Sequence, residues 1–300
     1  MNYLDKYKVL ELTPVDNIGG MYFKRDDLYM PFEDIPLSGG KVRQAISLIG
    51  NNYEYIKNEC DGNIYTGTSV TSPQGIIVSR VAKDFGFNSV LFVGNTNPNG
   101  ILRNPLLVQA LEQGCKINYD SVLAYENVLN ATIRKQKEKG NKFFQVKFGI
   151  NLESDPEAIV DSVAYQVQNI PDDLDYLIIP GGSCITTGGI LKGIVKYNKH
   201  PKKVVCIQIS GFDRSETVNK IMGDDTYPYE MRISKDYPYS KHINIKLSNG
   251  LKLDPLYEAK AFDYMVKYMG DEIQGKKVLF WIVGDSNFVR DKKVPYKVKK

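Results

Sequence analysis

The sequence predicts an α/β protein built from two lobes with parallel sheets. Apolar runs of strand length alternate with segments whose apolar residues recur at helical spacing, a pattern typical of right-handed crossover units. The chain has 300 residues, enough for one large or two modest domains, and it contains no internal repeat or long linker. Two lobes that exchange segments near residues 45–60 and 145–160 are therefore expected.

The first half contains three strand patterns, at residues 62–66, 89–93 and 116–119, and helical patterns at 73–85, 105–113 and 122–139. Ser72 is a predicted N-cap, and Pro73 follows it at the first helical position. Gly114 and Gly140 are predicted to end the last two helices. A further amphipathic helix is expected to begin near Lys41, directly after small residues.

The second half repeats the alternation. Strands are expected at residues 175–179, 203–209 and 277–283, and helices at 156–168, after the turn 180–189 as far as Tyr197, and at 255–269.

Composition excludes several classes of protein. A hydrophobic fraction of 42% and a charged fraction of 25% exclude disordered, collagen-like and low-complexity chains. No stretch approaches the roughly 20 consecutive apolar residues of a membrane helix, and the N-terminus lacks a signal pattern, so a cytoplasmic location is expected. The net charge of +4 does not by itself indicate nucleic acid binding. The basic tail at residues 290–300 is expected to be solvated, with a weak surface for an anionic partner as the alternative.

The numbers and spacing of cysteine and histidine limit the kinds of active site that this chain can form. The four cysteines are scattered without a C-x-x-C pair, so reduced thiols and no metal site are expected. With two histidines in the whole chain, a histidine-based triad or a multi-histidine metal site is not expected. Acid–base chemistry is therefore expected from lysine, tyrosine, serine or carboxylate side chains.

A glycine-rich segment, Gly181–Gly189, lies between a predicted strand and a predicted helix. Such a turn exposes backbone N–H groups at a helix N-terminus, which suits a phosphate, and Ser183, Thr186 and Thr187 add hydroxyls. The segment lacks the Gly-Lys-Ser/Thr of a nucleotide P-loop and the dinucleotide G-x-G-x-x-G pattern. A tight turn that binds no ligand is the alternative.

Lys41 is predicted at the first turn of its helix, where an ordinary solvated lysine is the plain interpretation. A lysine amine beside a monophosphate site, however, is the arrangement that binds pyridoxal 5′-phosphate as a Schiff base.

Five segments in collinear order resemble fold-type II pyridoxal phosphate enzymes, and within them the 1-aminocyclopropane-1-carboxylate (ACC) deaminase and D-cysteine desulfhydrase family. They are KRDDL at 24–28 with SGGKVR at 38–43, TGTSVTSPQG at 66–75, PGGSCITTGG at 180–189, LDPLYEAKA at 253–261 and the strand 278–284. The resemblance implies a two-domain fold like the tryptophan synthase β subunit, with three-layer αβα lobes. Residues 1–50 and 151–300 would form the large domain and 51–150 the small one, with the cofactor in the cleft.

The resemblance also implies roles for individual residues. Lys41 would be the catalytic Schiff-base lysine. The cofactor phosphate would be held around Gly182, Ser183, Cys184, Ile185, Thr186 and Gly188. Glu258 would face the pyridine nitrogen, and Tyr257 would be a catalytic group beside the substrate. Ser72 would meet the substrate carboxylate as a catalytic and binding residue, with Thr71 and Gln74 nearby.

Departures from the family pattern cluster at the expected substrate end. The family's Ser-Asn-His reads Ser72-Pro73-Gln74, and its closing Thr-Gly-Gly reads Val283-Gly284-Asp285. Lys41, the glycine-rich segment and Glu258 are retained, so the cofactor is expected with a substrate that differs from the family's usual one.

The expected function is a pyridoxal phosphate lyase or deaminase that converts a small amino acid to a 2-oxo acid and ammonia. A second hypothesis is β-replacement or decarboxylation of an unusual amino acid, or of an aminoacyl group on a larger anionic molecule. A third is a binding protein without turnover, and a fourth is a generic nucleotide-binding α/β protein. The resemblance further implies a homodimer, and no membrane association is expected.

Overall fold

The structure is a computed structural model that describes residues 2–121, 123, 125–150, 155–209, 211–238 and 241–291. From residue 292 onward, the basic tail lies outside these ranges. The strands are β1 (Val15–Ile18), β2 (Met21–Arg25), β3 (Asn63–Gly67), β4 (Asn88–Gly94), β5 (Lys116–Ser121), β6 (Phe144–Val146), β7 (Tyr176–Gly181), β8 (Lys203–Gln208), β9 (Glu230–Ile233) and β10 (Val278–Ile282).

The helices are α1 (Tyr3–Lys6), α2 (Gly40–Asn51), α3 (Tyr53–Glu59), α4 (Gln74–Asp84), α5 (Pro98–Arg103), α6 (Pro105–Glu112), α7 (Glu126–Glu138), α8 (Pro156–Ala164), α9 (Ile185–Lys196), α10 (Ser215–Met222), α11 (Glu258–Ile273) and α12 (Asn287–Arg290). Short 3-10 turns cover Asp26–Leu28 and Tyr165–Asn169. No helix in the described ranges combines the length and the apolar character needed to cross a membrane.

The chain divides into two compact units. Unit 1 comprises Met1–Arg43 and Glu157–Asn287, and unit 2 comprises Gln44–Pro156 and Phe288–Lys300.

Unit 1 contains a six-stranded sheet in the order β1-β2-β10-β7-β8-β9. The β1–β2 pair is antiparallel and all other neighbours are parallel. Both faces are covered, because Leu279 and Trp281 of β10 enter one core cluster while Phe280 and Ile282 enter another. Helix α9 packs on the first face and α11 on the second, so unit 1 has the expected three layers.

Unit 2 contains a four-stranded parallel sheet in the order β5-β4-β3-β6. Its core includes Phe92 of β4 and the inward residues Leu129 and Ile133 of α7. Helix α4 lies close to β4, since a Cβ at Gly75 would be 2.7 Å from a methyl group of Leu91. The predicted α/β fold with parallel sheets is thus confirmed.

Several element boundaries differ from the sequence predictions. The helix expected at 255 begins at Glu258, because Asp254 Oδ1 accepts the N–H groups of Leu256 and Tyr257 in a turn. The helix expected at 156–168 changes to a 3-10 turn after Ala164. The helix expected at 122 begins at Glu126, and residues 122 and 124 lie outside the described ranges. Strands β1, β2, β6 and β9 were not predicted, because strands this short carry little apolar periodicity.

Candidate active site

The glycine-rich segment connects β7 to α9 in unit 1. Cys184 has a left-handed backbone (φ +62°) that turns the chain into the helix. The first helical hydrogen bond runs from Gly188 N to Cys184 O at 3.0 Å. The N–H groups of residues 185–187 therefore have no acceptor within the helix, and together with the helix dipole they suit a bound anion.

Two glycines of this segment are required by close packing. A Cβ on Gly182 would lie 2.7 Å from Cε1 of Tyr257, and one on Gly181 would lie 2.7 Å from Sγ of Cys206. Gly182, Ser183 and Thr186 remain partly exposed, whereas Cys184 and Ile185 are buried. The cofactor-binding roles of these residues stay predictions.

The hydroxyl of Thr187 was predicted to be a donor of the glycine-rich segment, but it contacts a different group. Its side chain is buried, and its Oγ1 lies 3.3 Å from Sγ of Cys206. The hydroxyl is therefore a packing group between α9 and β8.

Lys41 lies in the first turn of α2. The preceding glycines lie against the segment that follows β10: Gly40 N donates to Val283 O at 2.8 Å, and a Cβ on Gly39 (φ +94°) would lie 2.4 Å from the same oxygen. Burial lowers the pKa of the Lys41 amine to about 8. Its Nζ has no hydrogen bond or ion pair to any described residue. A larger neutral fraction makes this amine more nucleophilic than an ordinary lysine.

Glu258 is the first residue of α11 and is fully buried. Its Oε1 accepts hydrogen bonds from Val283 N at 2.9 Å and Gly284 N at 3.1 Å. Its Oε2 is buried without a hydrogen-bond partner among the described residues. Burial and the nearby Asp254 carboxylate raise the pKa of Glu258 well above its usual range.

These contacts bring four of the predicted residues together. Gly39 and Gly40, which precede Lys41, contact Val283 and Gly284, which donate to Glu258. Tyr257 precedes Glu258, and its ring lies against Gly182 of the phosphate segment. The arrangement lies at the carboxyl ends of β7 and β10, the edge of a parallel sheet where ligands usually bind.

Thr71, Ser72 and Gln74 lie in unit 2, at the start of α4. Ser72 Oγ accepts the N–H of Gln74 at 3.2 Å, and Thr71 O accepts from Arg290 Nη2 at 2.7 Å. The Gln74 carboxamide is buried and fully engaged: it donates to Thr66 Oγ1 and Lys147 O and accepts from Gly149 N. Its side chain therefore holds the chain near residues 147–149, and the substrate roles of Thr71, Ser72 and Gln74 stay predictions.

A buried ion pair that supports Lys41 was not predicted from the sequence. Asp26 accepts hydrogen bonds from Thr13 Oγ1 (2.9 Å), Arg43 Nη1 (3.2 Å) and Trp281 Nε1 (3.0 Å), and both Asp26 and Arg43 are fully buried. The pair joins the start of α2 to β10. The KRDDL segment was the available signal, but spacing alone did not assign Asp26 a partner.

Replacing Asp26 with alanine should destabilise the protein by about 3–5 kcal/mol, because the buried Arg43 guanidinium would lose its counter-charge. Urea unfolding measures the change. Asp172→Ala is the matched control: Asp172 pairs with Lys199 at the surface with 82% of its side chain exposed, and its loss should barely change stability. Equal effects of the two substitutions would contradict the role of Asp26.

The residues present fit pyridoxal phosphate. Such a cofactor needs an amine for its aldehyde, donors for its phosphate and a group opposite its ring nitrogen. Lys41 supplies an amine of lowered pKa, and the start of α9 supplies donors. Oε2 of Glu258 is buried and has no hydrogen-bond partner among the described residues, so a protonated ring nitrogen could fill that place.

The chain matches no protein-family model. It is 24% identical over 364 aligned residues to the O-seryl-dTMP PLP-dependent decarboxylase of Salmonella phage ViI, covering 97% of this chain and 84% of that protein. Among solved structures, an ACC deaminase homologue superposes with a TM-score of 0.76 at 18% identity, covering 97% of this chain and 96% of that one. Helicobacter pylori O-acetylserine-dependent cystathionine β-synthase has a TM-score of 0.63 at 15% identity, covering 97% and 98%.

The structural similarity extends over nearly the whole of each chain, and the curated relative is itself a pyridoxal phosphate enzyme. Pyridoxal 5′-phosphate is accordingly the cofactor that these relatives indicate. This chain therefore has the α/β fold that fold-type II pyridoxal 5′-phosphate enzymes share.

Proposed function

We propose that this protein is a pyridoxal phosphate-dependent decarboxylase that acts on an amino-acid group attached to a nucleotide. The observation that carries the proposal is the unpartnered Oε2 of Glu258, in a site whose lysine amine has a lowered pKa. The similarity to an O-seryl-dTMP decarboxylase, which extends over 97% of this chain, supports the choice of reaction and substrate class. Decarboxylation is the second hypothesis from the sequence, and the first was a lyase or deaminase that gives a 2-oxo acid and ammonia.

The residues of unit 1 have separable tasks. Bound pyridoxal phosphate supplies a ring that accepts the electron pair left when a bond to the substrate Cα breaks. Oε2 of Glu258 would face the ring nitrogen, and a proton shared between them would keep that nitrogen positive. The Lys41 amine would hold the cofactor at its aldehyde group and would move a proton to or from the substrate Cα. The N–H groups at the start of α9 hold the phosphate.

The products decide between the reactions. The protein should be loaded with pyridoxal phosphate and incubated with O-seryl-dTMP, ACC, D-cysteine and L-serine. We expect CO2 from O-seryl-dTMP, with the amino group retained on the nucleotide product. Ammonia and a 2-oxo acid without CO2 would overturn the proposal and support the second candidate, the lyase or deaminase of a small amino acid that the ACC deaminase-like fold favours. Cofactor binding without turnover of any substrate would support a binding protein.

A further inference from the structure

Arg214 carries a positive charge that no described residue neutralises. Its Nε is buried without a hydrogen-bond partner, and its guanidinium makes no ion pair within the described part of the chain. The adjacent Asp213 is directed elsewhere, since its Oδ1 accepts from N and Oγ of Ser215 at 2.8 and 2.6 Å. A partly buried guanidinium with an unsatisfied donor is costly, so its presence indicates an anionic ligand.

Arg214 lies in the segment that follows β8, the strand beside the one that leads into the phosphate segment. Strands β7 and β8 are parallel neighbours, and just beyond β8 the N–H of Ile209 donates to Gly181 O at 2.9 Å. Five residues later Arg214 precedes α10, which packs so tightly on α9 that a Cβ on Gly188 would lie 2.4 Å from Ile221 Cδ1.

The electrostatics of Cys184, the residue before α9, agree with this placement. The Cys206 thiol and burial raise the pKa of the Cys184 thiol, and the positive charge of Arg214 acts against that rise. Cys184 directly precedes the first turn of α9, where the N–H groups of residues 185–187 have no helical acceptor.

We propose that Arg214 binds a phosphate monoester at the carboxyl ends of β7 and β8, beside the first turn of α9. The planar guanidinium can donate two parallel hydrogen bonds to phosphate oxygens. The inference rests on the proposed function, which offers two sources of this group: the cofactor phosphate and the phosphate of a nucleotide substrate.

Four proteins test the proposal: the wild type, Arg214→Gln, Arg214→Lys and the matched control Lys220→Gln. Lys220 is an exposed residue of α10, so the control removes a positive charge from the helix that Arg214 precedes. Each protein is titrated with pyridoxal phosphate and with pyridoxal, followed by absorbance. The cofactor-saturated protein is then titrated calorimetrically with dTMP and with thymidine.

If Arg214 holds the cofactor phosphate, Arg214→Gln should raise the Kd of pyridoxal phosphate about tenfold or more, while the Kd of pyridoxal stays unchanged. If it holds the nucleotide phosphate, the same rise should occur for dTMP and not for thymidine. In both cases Arg214→Lys should be milder and Lys220→Gln should match the wild type. Kd values for all four ligands within twofold of the wild type, in an Arg214→Gln protein of normal melting temperature, would overturn the proposal.

If the Arg214→Gln protein fails to fold, the Arg214→Lys protein provides the test, because a lysine keeps the charge but cannot donate two parallel hydrogen bonds to the phosphate. A Kd for a phosphate ligand raised at least threefold by Arg214→Lys would then support the proposal, and an unchanged value would overturn it. None of these titrations requires turnover, so a protein that releases no CO2 disproves the proposed function without affecting this result.

Discussion

Replacing Lys41 with alanine should reduce turnover about 100- to 10,000-fold, the range for loss of a positioned acid–base group. The same change should abolish covalent attachment of the cofactor. In the wild type, borohydride treatment should fix pyridoxal phosphate to the peptide that contains Lys41, as mass spectrometry can show. Lys41→Arg is the matched variant, because it keeps a positive charge but lacks a nucleophilic amine. Attachment to a different lysine would remove the basis of the site assignment.

The pH dependence of cofactor uptake should reflect the Lys41 amine. Burial lowers its pKa to about 8, so about a tenth of the amine is neutral at pH 7, compared with well under 0.1% for an ordinary lysine. Since only the neutral amine attacks an aldehyde, the uptake rate should rise as the pH increases through about 8 and then level off. Stopped-flow absorbance measures this rate. A rate that still climbs steeply between pH 9 and 10.5 would show that Lys41 has an ordinary pKa.

Replacing Glu258 with glutamine should lower turnover about 10- to 100-fold while leaving the fold intact. The amide keeps an oxygen that can accept from Val283 N and Gly284 N, but it can neither hold nor release the proton needed opposite the ring nitrogen. Glu258→Ala is the comparison: it leaves the two N–H groups unsatisfied and should also destabilise the protein by about 1–3 kcal/mol. Equal turnover of Glu258→Gln and the wild type would exclude the ring-facing role.

Stability measured against pH provides a second readout for Glu258. Because the pKa of Glu258 is raised in the folded protein, the unfolded chain loses this proton first as the pH rises above about 4.5. The free energy of unfolding of the cofactor-free protein should therefore fall with rising pH until the folded pKa is reached. Glu258→Gln should remove this part of the pH dependence, as urea unfolding at pH 5 and pH 8 can measure.

The reaction type was the least predictable part of the function. Lys41, Glu258 and the glycine-rich segment concern the cofactor, and pyridoxal phosphate enzymes of one fold share those residues whichever bond at Cα they break. The sequence motifs favoured a deaminase, with decarboxylation as an alternative. The similarity to a decarboxylase over 97% of the chain now supports that alternative.

The α/β class, the order of the long elements and the candidate cofactor-binding residues could all be predicted from the sequence. Helical and strand periodicity are local signals, and Lys41, Gly181–Gly189 and Glu258 stand in recognisable segments. The folded structure was needed to find which groups pair: Asp26 with Arg43, and the Gln74 carboxamide with residues 147–149. It was also needed to show that Nε of Arg214 is buried without a hydrogen-bond partner among the described residues. Burial and hydrogen-bond satisfaction depend on residues far apart in the chain, and local patterns therefore do not encode them.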